Sequence, residues 1–213
     1  MTIPHIAATE TIVDYLRKMF GTNFRVIVPQ IAMSAGTMIA CASKAIVMGK
    51  TSNLGPIDPQ LNGVPASGVL EEFETAKAEI TANPGTIPLW SVIIGKYHPT
   101  LIGSCRHAVD WSKEIVTEWL ETGMFEGEAD KKQKAEKIVK MFSSQNDTKN
   151  HSRHIHIEDC INVGLVIEKL EDDQTLQDLV LTIHHCFDHA ISSSNTIKII
   201  ENHNGIAIVR KTR

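Results

Sequence analysis

Apolar positions along this chain follow two periods, and the elements fall out of where each period starts and stops. Ile12, Val13, Leu16, Met19 and Phe20 recur at helical spacing and Gly21 follows, which predicts a helix over Thr9–Phe20. A β-branched run, Val26-Ile27-Val28, predicts a strand from Arg25 to Val28. Small residues then crowd together at Ala32-Met33-Ser34-Ala35-Gly36, a helix-capable stretch runs from Thr37 to Ser43, and Ala45-Ile46-Val47 reads as a second strand. The segment from Lys50 to Gln60 is turn-rich, with Gly55, Pro56 and Pro59 stiffening it. Ser67 is the expected N-cap of a helix through Ala82, with Val69, Leu70, Phe73, Ala76 and Ile80 on its apolar face. Asn83-Pro84-Gly85 ends it, Ile87 to Gly95 shows no clear period, and Lys96 to Thr100 is a loop. Two further helices are predicted, Cys105–Leu120 and Glu128–Phe142, the second with its lysines on a solvated face. A short helix from Ile157 to Asn162 runs to Gly164 at its C′ position, and a strand follows at Leu165–Ile167. A helix over Thr175–His189 and a hairpin, Thr196–Ile200 with Ile206–Val209 around Asn202-His203-Asn204-Gly205, close the chain.

Length and composition narrow the picture. The chain has 213 residues and is 42% hydrophobic, which suits one large globular domain, 1–213, with a C-terminal helix and hairpin from about 175. A net charge of −4 without long one-sign blocks gives no footprint for nucleic acid. Cys41, Cys105, Cys160 and Cys186 form no C-x-x-C and read as reduced, buried thiols in a cytoplasmic-type compartment. The apolar run from Val26 to Met48 approaches the length of a membrane span, but Pro29, Gln30, Ser34, Gly36, Ser43 and Lys44 interrupt it, so no span is expected. The first residues lack a basic stretch and an apolar core, so no signal peptide is read there.

The chemistry concentrates on Ser34. A strand, a sharp turn bearing a serine, a buried helix and another strand form a layout that exposes a nucleophile at a helix N-terminus, where free N–H groups face it. The backbone N–H of Ala35 is then placed to face an oxyanion. The G-x-S-x-G elbow is not complete, because Ala32 stands at the first glycine position, and a core serine without a catalytic role has the same spacing. Lys77 sits beside an apolar stripe, where it either snorkels or loses water and acts as a base. Asp58 is a polar catalytic candidate or a cap for local N–H groups. His151, His154 and His156 lie close together, but H-x-x-H-x-H without a fourth partner does not make a zinc site, and no metal is expected.

Ser34 within V-P-Q-I-A-M-S-A-G-T-M-I-A, followed by Leu54-Gly-Pro-Ile-Asp-Pro-Gln60, resembles the serine dehydrogenase proteinase family of the Clp-protease/crotonase superfamily. Ala7-Ala-Thr-Glu10, Lys96-Tyr-His-Pro-Thr100, His151-Ser-Arg-His-Ile155, Gly164-Leu165 and Lys198 to Gly205 extend the resemblance over nearly the whole chain. It implies an α/β spiral of strand-strand-helix units, homo-oligomers, a peptide or protein substrate, and a Ser34 nucleophile without ATP dependence or cofactor. The Gly55-Pro56-Ile57-Asp58 strip is the expected substrate-binding segment. Position in the family places Lys77 as the general base, with His151 as its rival or orienter. Related chains carry T-P-G-G before the A-T-E helix as a second oxyanion donor; here that place reads Thr2-Ile3-Pro4-His5, so the first unit is expected to be incomplete and the chain truncated at its N-terminus. The leading expectation is an ATP-independent serine peptidase, and the alternative is a catalytically impaired scaffold or peptide-binding protein of the same fold. A crotonase-like acyl-CoA enzyme has no nucleotide-phosphate pocket in the sequence to support it.

Overall fold

A computed structural model describes residues 4–61, 63–143 and 154–212. The chain groups into two compact units, residues 1–168 and 169–213.

In the first unit, α1 spans Pro4–Phe20, with proline in the first turn where no intrahelical N–H is needed. The strand β1 (Arg25–Val28) leads into β2 (Ile31–Ala32), and α2 (Ala35–Cys41) follows. Next come β3 (Ala45–Met48), β4 (Asn53–Leu54), β5 (Gln60–Leu61) and β6 (Val64–Pro65). Three longer helices come after, α3 (Ala66–Ala82), α4 (Ile87–Ile94) and α5 (Leu101–Trp119), the last running into a π-turn at Leu120–Met124. Then come α6 (Lys131–Ser143), β7 (Ile155–His156), α7 (Ile157–Val163) and β8 (Ile167–Lys169). Gly164 closes α7 in the left-handed region at φ 109°, as its place after the last helical residue requires.

β5 and β6 pair with each other as an antiparallel ribbon, while β1 to β4 alternate between two three-stranded sheets. β1, β3 and β8 form one, in that order, with β1 parallel to β3 from Arg25↔Ala45 to Val28↔Met48. β2, β4 and β7 form the other, with Ile31 and Ala32 opposite Asn53 and Leu54. Every residue of β3 is buried, which explains its unbroken apolar run: it is the central strand, covered on both faces. The architecture is mixed α/β, as the family resemblance implies.

The helices show where pattern and phase part company. Of the five residues that define the first helical pattern only Val13 is buried; α1 turns Ile6, Thr9 and Val13 inward, and Ile12, Met19 and Phe20 are 48–58% exposed. Arg17 supplies the polar part of the inner face, donating to Ala42 O at 3.2 Å and Trp119 O at 2.9 Å. Burial lowers its pKa, and Glu118, Asp14 and Glu126 oppose the shift. α6 behaves as expected, burying Ala135, Ile138, Val139 and Phe142 while its lysines stay outside.

The cysteines correct one expectation. Cys41, Cys105 and Cys160 are buried, but Cys186 is exposed. Burial pushes the Cys41 and Cys160 thiols up to about 12. A raised pKa means the proton is retained well above neutral pH, and the thiolate is the reactive form. A thiol reagent at pH 8 therefore modifies Cys186 first and reaches the other three only on unfolding. Titration of native protein that yields Cys41 or Cys160 ahead of Cys186 would contradict this.

The second unit carries a 3₁₀ turn at Leu170–Asp172, α8 (Gln174–Ser192), and an antiparallel hairpin of β9 (Thr196–Glu201) and β10 (Ala207–Lys211). Asp173 caps α8, accepting from the Leu176 N–H at 3.0 Å. The hairpin turn runs from Asn202 through Gly205, which has φ 73°.

Candidate active site

β2 ends at Ala32 and α2 begins at Ala35, so the chain passes from strand into helix within two residues. Ser34 occupies the turn with φ 47° and ψ −108°. Among the described residues it is the one non-glycine with positive φ. A side chain in such a region costs on the order of 1–3 kcal/mol and persists only where the surroundings enforce it. Ser34 does not spend its hydroxyl on capping α2, the usual role of a serine there. The residue is half-buried. At the same helix end Gly36 N–H donates to Met33 O at 2.8 Å and Met38 N–H to Ser34 O at 3.0 Å. Among the described residues the Ala35 N–H, beside the serine, donates to no backbone partner outside its own helix.

What enforces the turn is a buried clamp between Thr37 and Gly55. Thr37 Oγ1 stands 2.9 Å from both Ala32 O and Gly55 O, donating its single proton between them. It accepts from Gly55 N–H at 3.2 Å, and that N–H also reaches Ala32 O at 2.8 Å. Gly55 must lack a side chain here. A Cβ on it would lie 2.3 Å from Met33 Sδ and 3.3 Å from Met33 Cα, so the Met33 side chain would have to swing away and the backbone immediately before Ser34 give by a few tenths of an ångström. Sequence reading did not single out Thr37. The signal available was a β-branched hydroxyl inside an otherwise apolar helix, three residues after the serine.

The other candidate residues fall elsewhere. Gly55, Pro56 and Ile57 are buried, with Ile57 1% exposed in the core and its N–H donating to Phe142 O at 3.1 Å. The stiff loop packs beneath the serine turn, with Asp58 half-buried at its end. Asp58 accepts from Ser67 N–H at 3.3 Å and from Ser67 Oγ, tying the loop to the first turn of α3. Ser67 therefore donates to Asp58 instead of capping α3, whose cap position is Pro65. Cys105, on α5, has its pKa raised by burial and, secondarily, by the charge of Asp58.

Lys77 lies on α3 with its side chain 77% exposed, 3.7 Å from Glu74. The desolvated setting that its neighbours Leu70, Phe73 and Ile80 suggested is not formed within this chain; the ammonium stays in water. His151 lies outside the described residues. His154 and His156 are exposed, and no group of three or more metal-binding side chains occurs among the described residues. No helix of the described residues is long and apolar enough to cross a membrane.

Comparison with known proteins bears on this turn. The chain is 44% identical over 62 residues to the uncharacterized protein MJ0137 of Methanocaldococcus jannaschii, an alignment covering 29% of this chain and 22% of that protein. It is 46% identical over 48 residues to the uncharacterized protein MJ1495 of the same organism, covering 22% of this chain and 16% of the other. The chain thus aligns with about a fifth of the length of these relatives. No solved structure matches. The family model of ClpP-like SDH-type serine proteinases matches residues 5–180, a span that includes the strained serine turn, the Thr37–Gly55 clamp and the whole of α3, and on that match the chain belongs to this family.

Proposed function

We propose that this chain is a serine peptidase in which Ser34 attacks the peptide carbonyl and the Ala35 N–H holds the oxyanion. The observation that carries the reading is the backbone of Ser34 itself. A non-glycine residue is held at φ 47° where glycine would sit without strain, and its hydroxyl is left unbonded to the helix it precedes. Strain of this kind at a strand-to-helix turn is the geometry that presents a serine nucleophile. The reaction is acyl transfer: Oγ bonds to the carbonyl carbon, its proton passes to a base and then to the leaving amine, and water hydrolyses the ester.

Lys77 and His151 are the candidate bases. To serve, Lys77 must shed its proton and hence its water, because a hydrated ammonium keeps its proton far above neutral pH. Burial of α3 beneath a bound substrate or a neighbouring chain supplies that desolvation. His151 needs no such burial, since an unperturbed imidazole already titrates near pH 6.5. One observation favours a second reading, a scaffold that keeps the fold without turnover: no proton acceptor among the described residues is bonded to Ser34 Oγ. Catalytic hydrogen bonds are often long before substrate binds, so the peptidase remains the better account.

The test is labelling with a fluorophosphonate probe. The wild-type chain is expected to be modified at Ser34, and Ser34→Ala to lose all labelling while its circular dichroism is unchanged. Equal labelling of that variant would end the serine-peptidase reading.

A further inference from the structure

The second unit carries apolar surface that it does not bury. None of the residues of α8 is buried, although the helix has a broad apolar arc through Leu179, Ile183, Phe187 and Ala190. On β9 only Thr196 is buried, and every residue of β10 is exposed. A lone two-stranded hairpin is marginal in water, and a unit this short needs a disulfide, a metal or a second chain to hold it. Cys186 is free, and no metal-binding group occurs among the described residues.

The apolar surface has two complementary parts, on opposite faces of the same hairpin. One face, with α8, forms an open groove of about 620 Å³ lined by Ile183, Phe187, Ile199 and Val209, with Glu201 at its edge. On the other face the register places Ile200 opposite Ile208 and Lys198 opposite Arg210. Ile200 is 54% exposed and Ile208 71%. This makes a projecting pair of isoleucines flanked by two cations that face each other. Like charges directly opposite on a sheet destabilise it unless an acid approaches, and neither cation forms an ion pair among the described residues.

We infer that this unit docks head-to-tail onto the same unit of a second copy of the chain. Ile200 and Ile208 of one copy enter the α8–hairpin groove of the next, and Lys198 and Arg210 meet Glu201 at the groove edge. The partner is another copy because each unit presents both the projection and the groove, with charges of opposite sign beside them. The contact is heterologous, so it propagates from copy to copy, as a ring where the rotation closes and as an open chain where it does not. It does not depend on the chemistry of Ser34.

The experiment uses the full chain and light scattering at tens of micromolar. Wild type is expected to exceed the mass of one chain, and Ile183→Asp and Ile208→Asp each to lower that mass with circular dichroism unchanged. Both positions are exposed in the isolated chain, so the substitutions have no buried site to disrupt. An equimolar mixture of the two variants regains pairs, because Ile208→Asp keeps an intact groove and Ile183→Asp keeps an intact projection. Ile208→Thr, which retains a strand-favouring side chain, weakens assembly in the same direction. Cys186 lines the groove, so its reaction with a thiol reagent is expected to be slower in wild type than in Ile208→Asp. Ser34→Ala keeps the wild-type mass. A wild-type chain of monomer mass, a folded Asp variant of undiminished mass, or a mixture that stays at the mass of its components would each overturn the inference.

Discussion

Thr37→Val lowers the melting temperature by several degrees and abolishes labelling of Ser34, although the substituted residue never touches the probe. The side chains are nearly the same size, so the loss is that of one hydroxyl. Thr37 is fully buried, and its oxygen serves Ala32 O, Gly55 O and Gly55 N–H together. Gly55 N–H keeps its bond to Ala32 O after substitution, but Gly55 O loses the only partner it has among these contacts. A buried polar group left unsatisfied costs about 1–3 kcal/mol. For a unit of this size that corresponds to a shift of roughly 2–10 °C. The activity loss is larger in proportion, because the hydroxyl spans the two segments that force Ser34 into its turn. Thr37→Ser keeps the hydroxyl and is expected to label like wild type. Thermal scans and probe labelling of both variants check this. A Thr37→Val chain with wild-type melting and labelling would show that the clamp does not hold the serine.

Ser34→Gly is expected to raise the melting temperature while removing all labelling. At φ 47° and ψ −108° a Cβ is strained and glycine is not. Relief is on the order of 1–3 kcal/mol, and the extra freedom of glycine in the unfolded chain returns about 0.5–1 kcal/mol of it. The net gain lies between about 0 and 2.5 kcal/mol, centred on roughly 1 kcal/mol, a rise of a few degrees. Ser34→Ala loses labelling equally but keeps the Cβ, so it gains nothing from strain relief. The informative quantity is the difference between the two variants, because both lack the hydroxyl. Coincident melting curves would mean that the turn stores no strain, and the main support for a nucleophile at Ser34 would go with it. A gain in stability on losing the reactive residue is the trade expected where backbone geometry is held for chemistry.

The parts of this fold legible in the sequence were those decided locally. Val26-Ile27-Val28 and Ala45-Ile46-Val47 are β-branched or small and short, and they form the paired strands β1 and β3. The small residues around Ser34 leave no room for anything but a tight turn, and the turn is there. Asn83-Pro84-Gly85 stops α3 as its chemistry demands. What failed was phase and depth. The repeat in α1 declares a helix, but which arc faces inward depends on neighbours such as Trp119 and Ala42, which Arg17 reaches across long stretches of sequence. The burial of Gly55, Pro56 and Ile57 goes with a carbonyl on α6 and a carboxylate–serine pair that no local pattern reveals. Lys77 was read from its neighbours in sequence, whereas desolvation is a property of what packs over a helix, and in this chain its side chain remains in solvent.

The bond from Ile57 N–H to Phe142 O gives the serine turn a history as well as a shape. The clamp at Thr37 needs Gly55, and the loop holding Gly55 is anchored by a carbonyl at the far end of α6. Contacts between residues so distant in sequence form late, because the intervening chain must be ordered before they can be made. A chain emerging from the ribosome has passed Ser34 long before Phe142 exists, and until then the loop beneath the serine has no anchor on that side. The turn that holds Ser34 is thereby expected to be completed late in folding, after the helices that anchor it have formed.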